Sequence, residues 1–377
     1  MLKKICIFPN DPLIAYHKKG EIKKKYFNPN NFFDEIHFIS FIENDIEEKE
    51  IQNIVGTAKM KIHSVGKISI RKRKKYLSTI LELVKKIKPD IIRAYNPLLE
   101  GWFAASCAKE LKIPFYVSLH TQYDFNRKIL KKQNLKKFLA LKYTEKFIEP
   151  YVLKNADKIT AVYKIIEPYV RKHTLKEVEI LYNKVDCKKF ISAQKIEELP
   201  KSLILSVGNL TNLKNHSILI NAMKNIEGNL LIIGNGEKFS EYNNLIKNLN
   251  LEKKISIIKS VKHDEIQNYF KSAKIFALAF NPEIESIPMP VMEAMASGLP
   301  IVIPYPKKGF SEGLEEIVLF SEINSVDFSK NIQKILEDSE LAKRLSKKAK
   351  EKSIEYDSDK NEIKEAKIYQ ELIKLEK

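Results

Sequence analysis

The sequence predicts an α/β protein made of two doubly wound domains, each a parallel sheet covered by helices on both faces. Three observations predict it. Short apolar runs alternate with longer amphipathic stretches along the whole chain, the rhythm of βα units whose strands are buried on both sides. A polar stretch, 187–201, divides that rhythm into two series. The chain has 377 residues, 44% of them hydrophobic, enough material for two packed cores. The expected domains are 1–190 and 191–360.

In chain order, the first series predicts strands at 4–8, 35–41, 90–94, 115–119, 158–162 and 178–181, each a short run rich in Ile, Val and Phe. Helical spacing of apolar residues marks 71–87 and 101–111 between them. Pro89 ends the first of these helices, and Pro114 separates the second from the strand after it. The second series predicts strands at 202–207, 229–233, 255–258, 275–279 and 300–303. Its helices fall at 215–223, 238–249, 264–272, 290–296 and 329–351. Pro290 suits a helix start, where its missing N–H costs nothing.

Composition excludes several classes. The three cysteines, Cys6, Cys107 and Cys187, are scattered and odd in number, so no disulfide scaffold is expected and a reducing compartment is. Apolar runs stay well short of the roughly 18 residues a membrane-spanning helix needs. Only four apolar residues follow the two lysines before Pro9 in MLKKICIFPN, too few for a signal-peptide core, so this start is read as the first strand. The seven histidines show no zinc spacing with the cysteines, and no phosphate-binding GxxxxGK[ST] occurs.

Charge is unevenly placed. Residues 1–190 carry 39 Lys+Arg against 21 Asp+Glu, and residues 191–377 carry 27 of each. The whole net charge of +18 therefore sits in the first half. An anionic partner of that half, whether a membrane surface, a nucleic acid or a polyanionic substrate, explains this asymmetry; a lysine-rich composition without purpose is the alternative. The basic stretches are 23–27, 71–77 and 127–150. The last sets Leu135, Phe138, Leu139 and Leu141 among lysines, so its 127–146 face can lie on an anionic bilayer or pack on its own domain.

In open α/β sheets ligands bind where strands end, so a cleft between two such domains is the expected site. The sharpest signal there is NPEIESIPMPVMEAMASGLPIVIP, 281–304. Glu285 follows the 275–279 strand, and Glu293, separated from it by seven residues, lies inside the next helix. Between them, Ser286, Ile287 and Met289 offer backbone N–H groups to an anion while Pro288 cannot. Carboxylates so placed suit a hydroxyl-rich ligand. Spacing alone fits two solvated acids on an ordinary βα unit equally well.

This segment resembles the E-x7-E signature of retaining glycosyltransferases of family 4, which have the GT-B architecture of two Rossmann-like domains. The resemblance implies that Glu285 contacts the donor sugar and Glu293 the nucleotide ribose. SVGNLTNLKN, 206–215, resembles the family's GRL-x3-KN segment: Gly208 and Lys214 match, and Asn209 stands where the family has a diphosphate-binding Arg. LLIIGNGE resembles the family's G-x-G turn at Gly234 and Gly236, which by itself reads equally as a plain tight turn. Val261, within 260–262, corresponds to the loop against the nucleobase. His120, ending IPFYVSLH, matches the histidine beside the reacting sugar, and Gly20 a glycine loop facing the donor.

The resemblance implies a hexose transfer from a UDP- or GDP-sugar to a glycan or glycolipid acceptor, without metal or bound cofactor. His120, Lys214 and Glu285 would be the catalytic set, and a donor phosphate oxygen would take the acceptor proton. The donor would sit in the second domain and the acceptor in the first, to which the last helix, 361–377, crosses back. The expected location is the cytoplasm, at the inner membrane face. Two alternatives remain at this level: a basic nucleic-acid-binding protein, which leaves Glu285 and Glu293 unexplained, and a nucleotide-sugar epimerase of similar fold. Asp357 and Asp359 spell D-x-D, but after a charged helix rather than at a strand end, and are read as a helix break.

Overall fold

The structure, a computed structural model, describes residues 2–18, 23–262 and 264–374. The chain forms two compact units. One comprises the residues up to Tyr182 together with the segment from Asn361, and the other runs from Asn183 to Lys360.

Among the described residues, the first unit holds a wholly parallel sheet of β1 (Lys4–Phe8), β2 (Glu35–Ser40), β3 (Lys59–Ser64), β4 (Ile91–Ala94), β5 (Phe115–Leu119), β6 (Lys158–Ala161) and β7 (Val178–Ile180). Their spatial order is β3-β2-β1-β4-β5-β6-β7. β1, β4 and β5 are buried almost throughout, which is why their sequences read as continuous apolar runs. β3, KMKIHS, is the exception: it is an edge strand that alternates polar with apolar residues, and it lay outside the sequence expectation for that reason. The core of this unit takes in Ile368, Tyr369 and Leu372 from the last helix, Ser358–Lys374.

The second unit repeats the plan with β8 (Leu203–Val207), β9 (Asn229–Ile233), β10 (Ile255–Ile258), β11 (Ile275–Ala277), β12 (Ile301–Pro304) and β13 (Leu319–Ser321). The order is β10-β9-β8-β11-β12-β13, again parallel. Each sheet thus has a point where successive connections turn in opposite directions, between β1 and β4 in one and between β8 and β11 in the other. A crevice opens at such points where ligands bind.

Three expectations need correction. The boundary lies at 182/183 rather than 190/191. Val185 donates its N–H to Tyr356 O (2.9 Å) and accepts that of Ser358 (2.8 Å), and the helix Cys187–Ile191 packs on helices Ile266–Ser272 and Met289–Ala296; these contacts bind the segment to the second unit. The single helix expected at 329–351 is two, Ser325–Glu337 and Ser339–Ser353. They break at Asp338, whose carboxylate accepts the Leu341 N–H at 2.9 Å, since an Asp at an N-cap competes with continued helix. The basic stretch 127–150 is no single amphipathic face: three helices, Tyr123–Gln133, Leu135–Phe147 and Glu149–Asn155, divide it.

Candidate functional site

Lys214 follows β8 and Glu285 follows β11, the two neighbouring strands at the switch point of the second sheet. A backbone bond joins their loops, Asn281 N–H to Leu213 O at 2.9 Å, and Asn281 Oδ1 also accepts the Glu283 N–H at 2.9 Å. The result is an ion pair between Lys214 Nζ and Glu285 Oε2, groups 71 residues apart in sequence. The Lys214 stem passes over Gly208: a Cβ built there would meet Lys214 Cγ at 3.4 Å.

The helix Met289–Ala296 begins just after Glu285. The N–H groups of a first helical turn have no acceptor within the helix, and the partial positive charge there favours an anion. Ser286, Ile287 and Pro288 are buried and Met289 half-buried. Glu293 is half-buried on the same helix.

The remaining candidates in this unit divide into two kinds. Gly234 and Gly236 have a packing role, because a side chain at either would strike backbone: Gly208 O at 1.9 Å from a Cβ on Gly234, and Leu210 O at 2.5 Å from one on Gly236. The loop 208–210 is laced to this turn by Gly208 N–H to Ile233 O (3.0 Å) and Leu210 N–H to Asn235 O (2.9 Å). Asn209, at its tip, is exposed. Val261 is half-buried in the loop after β10, the edge strand two places from β8.

Sequence reasoning passed over His216, which is wholly buried with neither ring nitrogen hydrogen-bonded to a described residue. Its Cε1 lies 3.8 Å from the Cβ position on Gly208. Ser206 Oγ and Ser286 Oγ are likewise buried and unpaired. Three such orphans in segments flanking one switch point call for an explanation, since buried polar groups are almost always bonded; a polar ligand supplies one. Only a histidine two residues past Lys214 hinted at this in the sequence.

Burial, and then the Lys214 charge, push His216 down to about 3. The unfolded chain would take up a proton near pH 6.5, so the neutral buried form stabilises the fold fully above that pH. Stability is lost as pH falls toward 3. At pH 5 the expected loss from this residue is on the order of 2 kcal/mol. His37, His63 and His173 shift the same way. Urea denaturation at pH 7.5 and 5 must therefore compare the native chain with His216→Phe, whose pH dependence should be shallower by that amount.

In the first unit His120 follows β5. Its Nε2 lies 3.3 Å from Ser118 Oγ, and its ring stacks on Tyr95 with centroids 5.6 Å apart. Withdrawal from water, with Arg93 close by, lowers its pKa to about 4, so the imidazole is neutral at physiological pH. At the switch point of this sheet Asn96 Nδ2 donates to Asn10 Oδ1 at 3.2 Å. Gly20 lies outside the described residues.

Asp357 and Asp359 have helix-capping and ion-pairing roles. Asp357 Oδ1 accepts the N–H groups of Asp359 (3.1 Å) and Lys360 (3.3 Å), and Asp359 pairs with Lys188 at 2.7 Å.

Two family profiles match the chain in tandem, Glycosyltransferase Family 4 over residues 35–189 and Glycosyl transferases group 1 over residues 188–352. An uncharacterized glycosyltransferase of Methanocaldococcus jannaschii is 25% identical over 372 residues, 96% of this chain and 97% of that one. The N-acetylgalactosamine-N,N'-diacetylbacillosaminyl-diphospho-undecaprenol 4-alpha-N-acetylgalactosaminyltransferase of Campylobacter jejuni is 32% identical over 189 residues, 48% of this chain and 50% of its own. Among solved structures, HepE of Anabaena in complex with UDP matches with a TM-score of 0.71 at 13% identity, over 98% of this chain and 100% of that one.

Proposed function

The chain belongs to the group 1, family-4 glycosyltransferases and has their two-domain, Rossmann-like GT-B fold; on that premise we propose that it transfers a hexose from a UDP- or GDP-sugar to a hydroxyl of a lipid-linked glycan, with retention of anomeric configuration. The observation that carries this reading is the meeting of Lys214 and Glu285 at the switch point, beside the N-terminus of the helix that bears Glu293. Departure of a nucleoside diphosphate builds negative charge, and fixed donors aimed at that charge lower the barrier. Lys214 and the N–H groups of Ser286, Ile287 and Met289 take that part. Glu285 orients the donor sugar and Glu293 accepts hydrogen bonds from the ribose; the role that the family resemblance implies for His120 falls to a neutral imidazole.

With one cation and a helix N-terminus for the diphosphate, no divalent metal is required in this proposal. A donor phosphate oxygen takes the acceptor proton on the face the nucleotide leaves. The UDP held by the Anabaena neighbour makes a uridine donor the first to test. The C. jejuni relative, named for a diphospho-undecaprenol substrate, supports a lipid-linked acceptor. So does the concentration of the +18 charge in the first half, which suits an enzyme working in the cytoplasm at the inner membrane face.

The test is transfer from UDP-sugars to a polyprenyl-diphosphate-linked sugar in excess EDTA, with the product anomer read by NMR. Retention and undiminished turnover are expected. Inversion, or activity restored only by Mg²⁺ or Mn²⁺, overturns the proposal. In calorimetry Glu293→Ala should weaken nucleotide binding by about 1.5–3 kcal/mol, the range for hydrogen bonds to a charged group.

A further inference from the structure

The helix Leu135–Phe147 leaves large apolar residues outside while it turns polar ones inward. Its inward side carries buried Thr144 and half-buried Glu145 beside half-buried Phe138 and Leu141. Thr144 Oγ1 donates to Glu149 Oε1 at 2.7 Å, and Glu145 pairs with Arg127 at 3.6 Å. Arg127 and Glu149 form the centre of a buried ionic cluster, Nη1 to Oε1 at 2.9 Å, which Asp124 and Tyr169 complete at 3.1 and 2.6 Å. Arg127 is therefore buried and unavailable to any surface, contrary to its place in the basic face expected from sequence.

The outward side carries an apolar stripe. Leu135, Leu139, Tyr143 and Phe147 are exposed by 62, 59, 39 and 52%. A spacing of four residues sets them along one face. Around this stripe Lys131, Lys132, Lys136, Lys137, Lys142 and Lys146 are all exposed. The one acid between 128 and 147 is Glu145, which is turned toward Arg127 and also bonds Lys142 at 2.6 Å. The fold brings a second basic stretch to the same place. Arg73 stacks over Tyr143 at 5.5 Å and over Trp102 at 5.2 Å, and Arg71, Lys72, Lys74 and Lys75 around it are exposed.

From this arrangement we propose that the Leu135–Phe147 helix and the start of the Arg73–Ile87 helix form a docking surface for an anionic phospholipid bilayer. The stripe enters the headgroup boundary and the lysines hold the anionic lipids. Exposed apolar stripes of this size mark interaction sites. A second copy of the chain would bring two patches of the same sign together, and a nucleic acid would leave Leu135 and Leu139 in water. The choice of a lipid partner rests in part on the lipid-linked acceptor proposed above, but the stripe and its charges do not.

The test is co-sedimentation of the full chain with phosphatidylglycerol–phosphatidylcholine vesicles and with phosphatidylcholine vesicles, at about 50 and about 500 mM salt. Binding is expected to the anionic vesicles alone and to weaken with salt. The triple variant Leu135→Gln, Leu139→Gln, Phe147→Gln should bind them at least about tenfold less, with unchanged thermal unfolding and unchanged UDP affinity. Equal, negligible binding to both vesicles overturns the proposal. So does binding that the triple variant retains, or a native dimer that the variant converts to monomer, or binding to single-stranded RNA that the variant loses. Vesicle binding without sugar transfer would leave the docking surface standing and refute the catalytic reading, and the reverse result would do the opposite.

Discussion

Lys214→Ala should lower turnover by about 10²–10³-fold, the usual cost of removing one preorganised donor from a developing negative charge. Lys214 is the cation that the fold delivers to the end of β8, where Asn209 stands in place of a second one. Its ion pair with Glu285 is partly open to solvent, and such pairs contribute only about 0–1 kcal/mol to stability. The variant should therefore melt within a few degrees of the native chain while losing turnover. Glu285→Gln keeps the shape and part of the hydrogen bonding but not the charge, and should lose turnover with little change in nucleotide affinity. If both variants turn over within about threefold of the native rate, the switch-point pair has no part in the electrostatic effect invoked here.

Breaking the contact between the last helix and the first sheet should cost about 3–5 kcal/mol, the penalty for stranding one member of a buried ion pair. Arg93 on β4 is buried, ion-paired with Glu365, and hydrogen-bonded to Tyr369. Its guanidinium also lies over the rings of Tyr95 at 4.2 Å and Tyr116 at 4.5 Å. Glu365→Ala leaves that cation without its counter-charge, and urea denaturation should show the full loss. Arg93→Met with Glu365→Leu removes both charges and should recover most of it, because a buried pair is worth little against apolar residues of similar size. Equal destabilisation in the single and double variants would assign the cost to packing instead. His120 offers a second readout. Beyond the effect of burial, the Arg93 charge lowers its pKa and the Glu365 charge raises it by less, so NMR titration of the double variant, which removes both, should find it slightly higher.

The interior strands were legible because burial on both faces writes itself as an unbroken apolar run: KICIF and FYVSL appear where β1 and β5 lie. Edge strands carry a weaker record: β7 and β10 fell within expected runs, but β3 and β13 were missed. The helix break at Asp338 was missed because a cap competes with a continuing periodicity that extends on both sides of it. In the site, Glu285 and Glu293 could be found from the seven residues that separate them within one βα unit. Lys214 joined the same set only through the family resemblance, and its direct pairing with Glu285, 71 residues away, could not be read from spacing.

What the sequence alone determined is local: which runs are buried, where helices start, and which carboxylates share a βα unit. The tertiary structure decided the partners. It set β8 beside β11 and so Lys214 against Glu285, and it buried His216 beside Gly208. It also divided one basic stretch into a buried Arg127 and exposed lysines. The physical reason is that periodicity records whether a face meets water, which each residue senses locally. Which charge meets which depends instead on the order in which distant strands come to lie side by side, and cations of the same kind in one run, such as those of 127–146, look alike until that order is set.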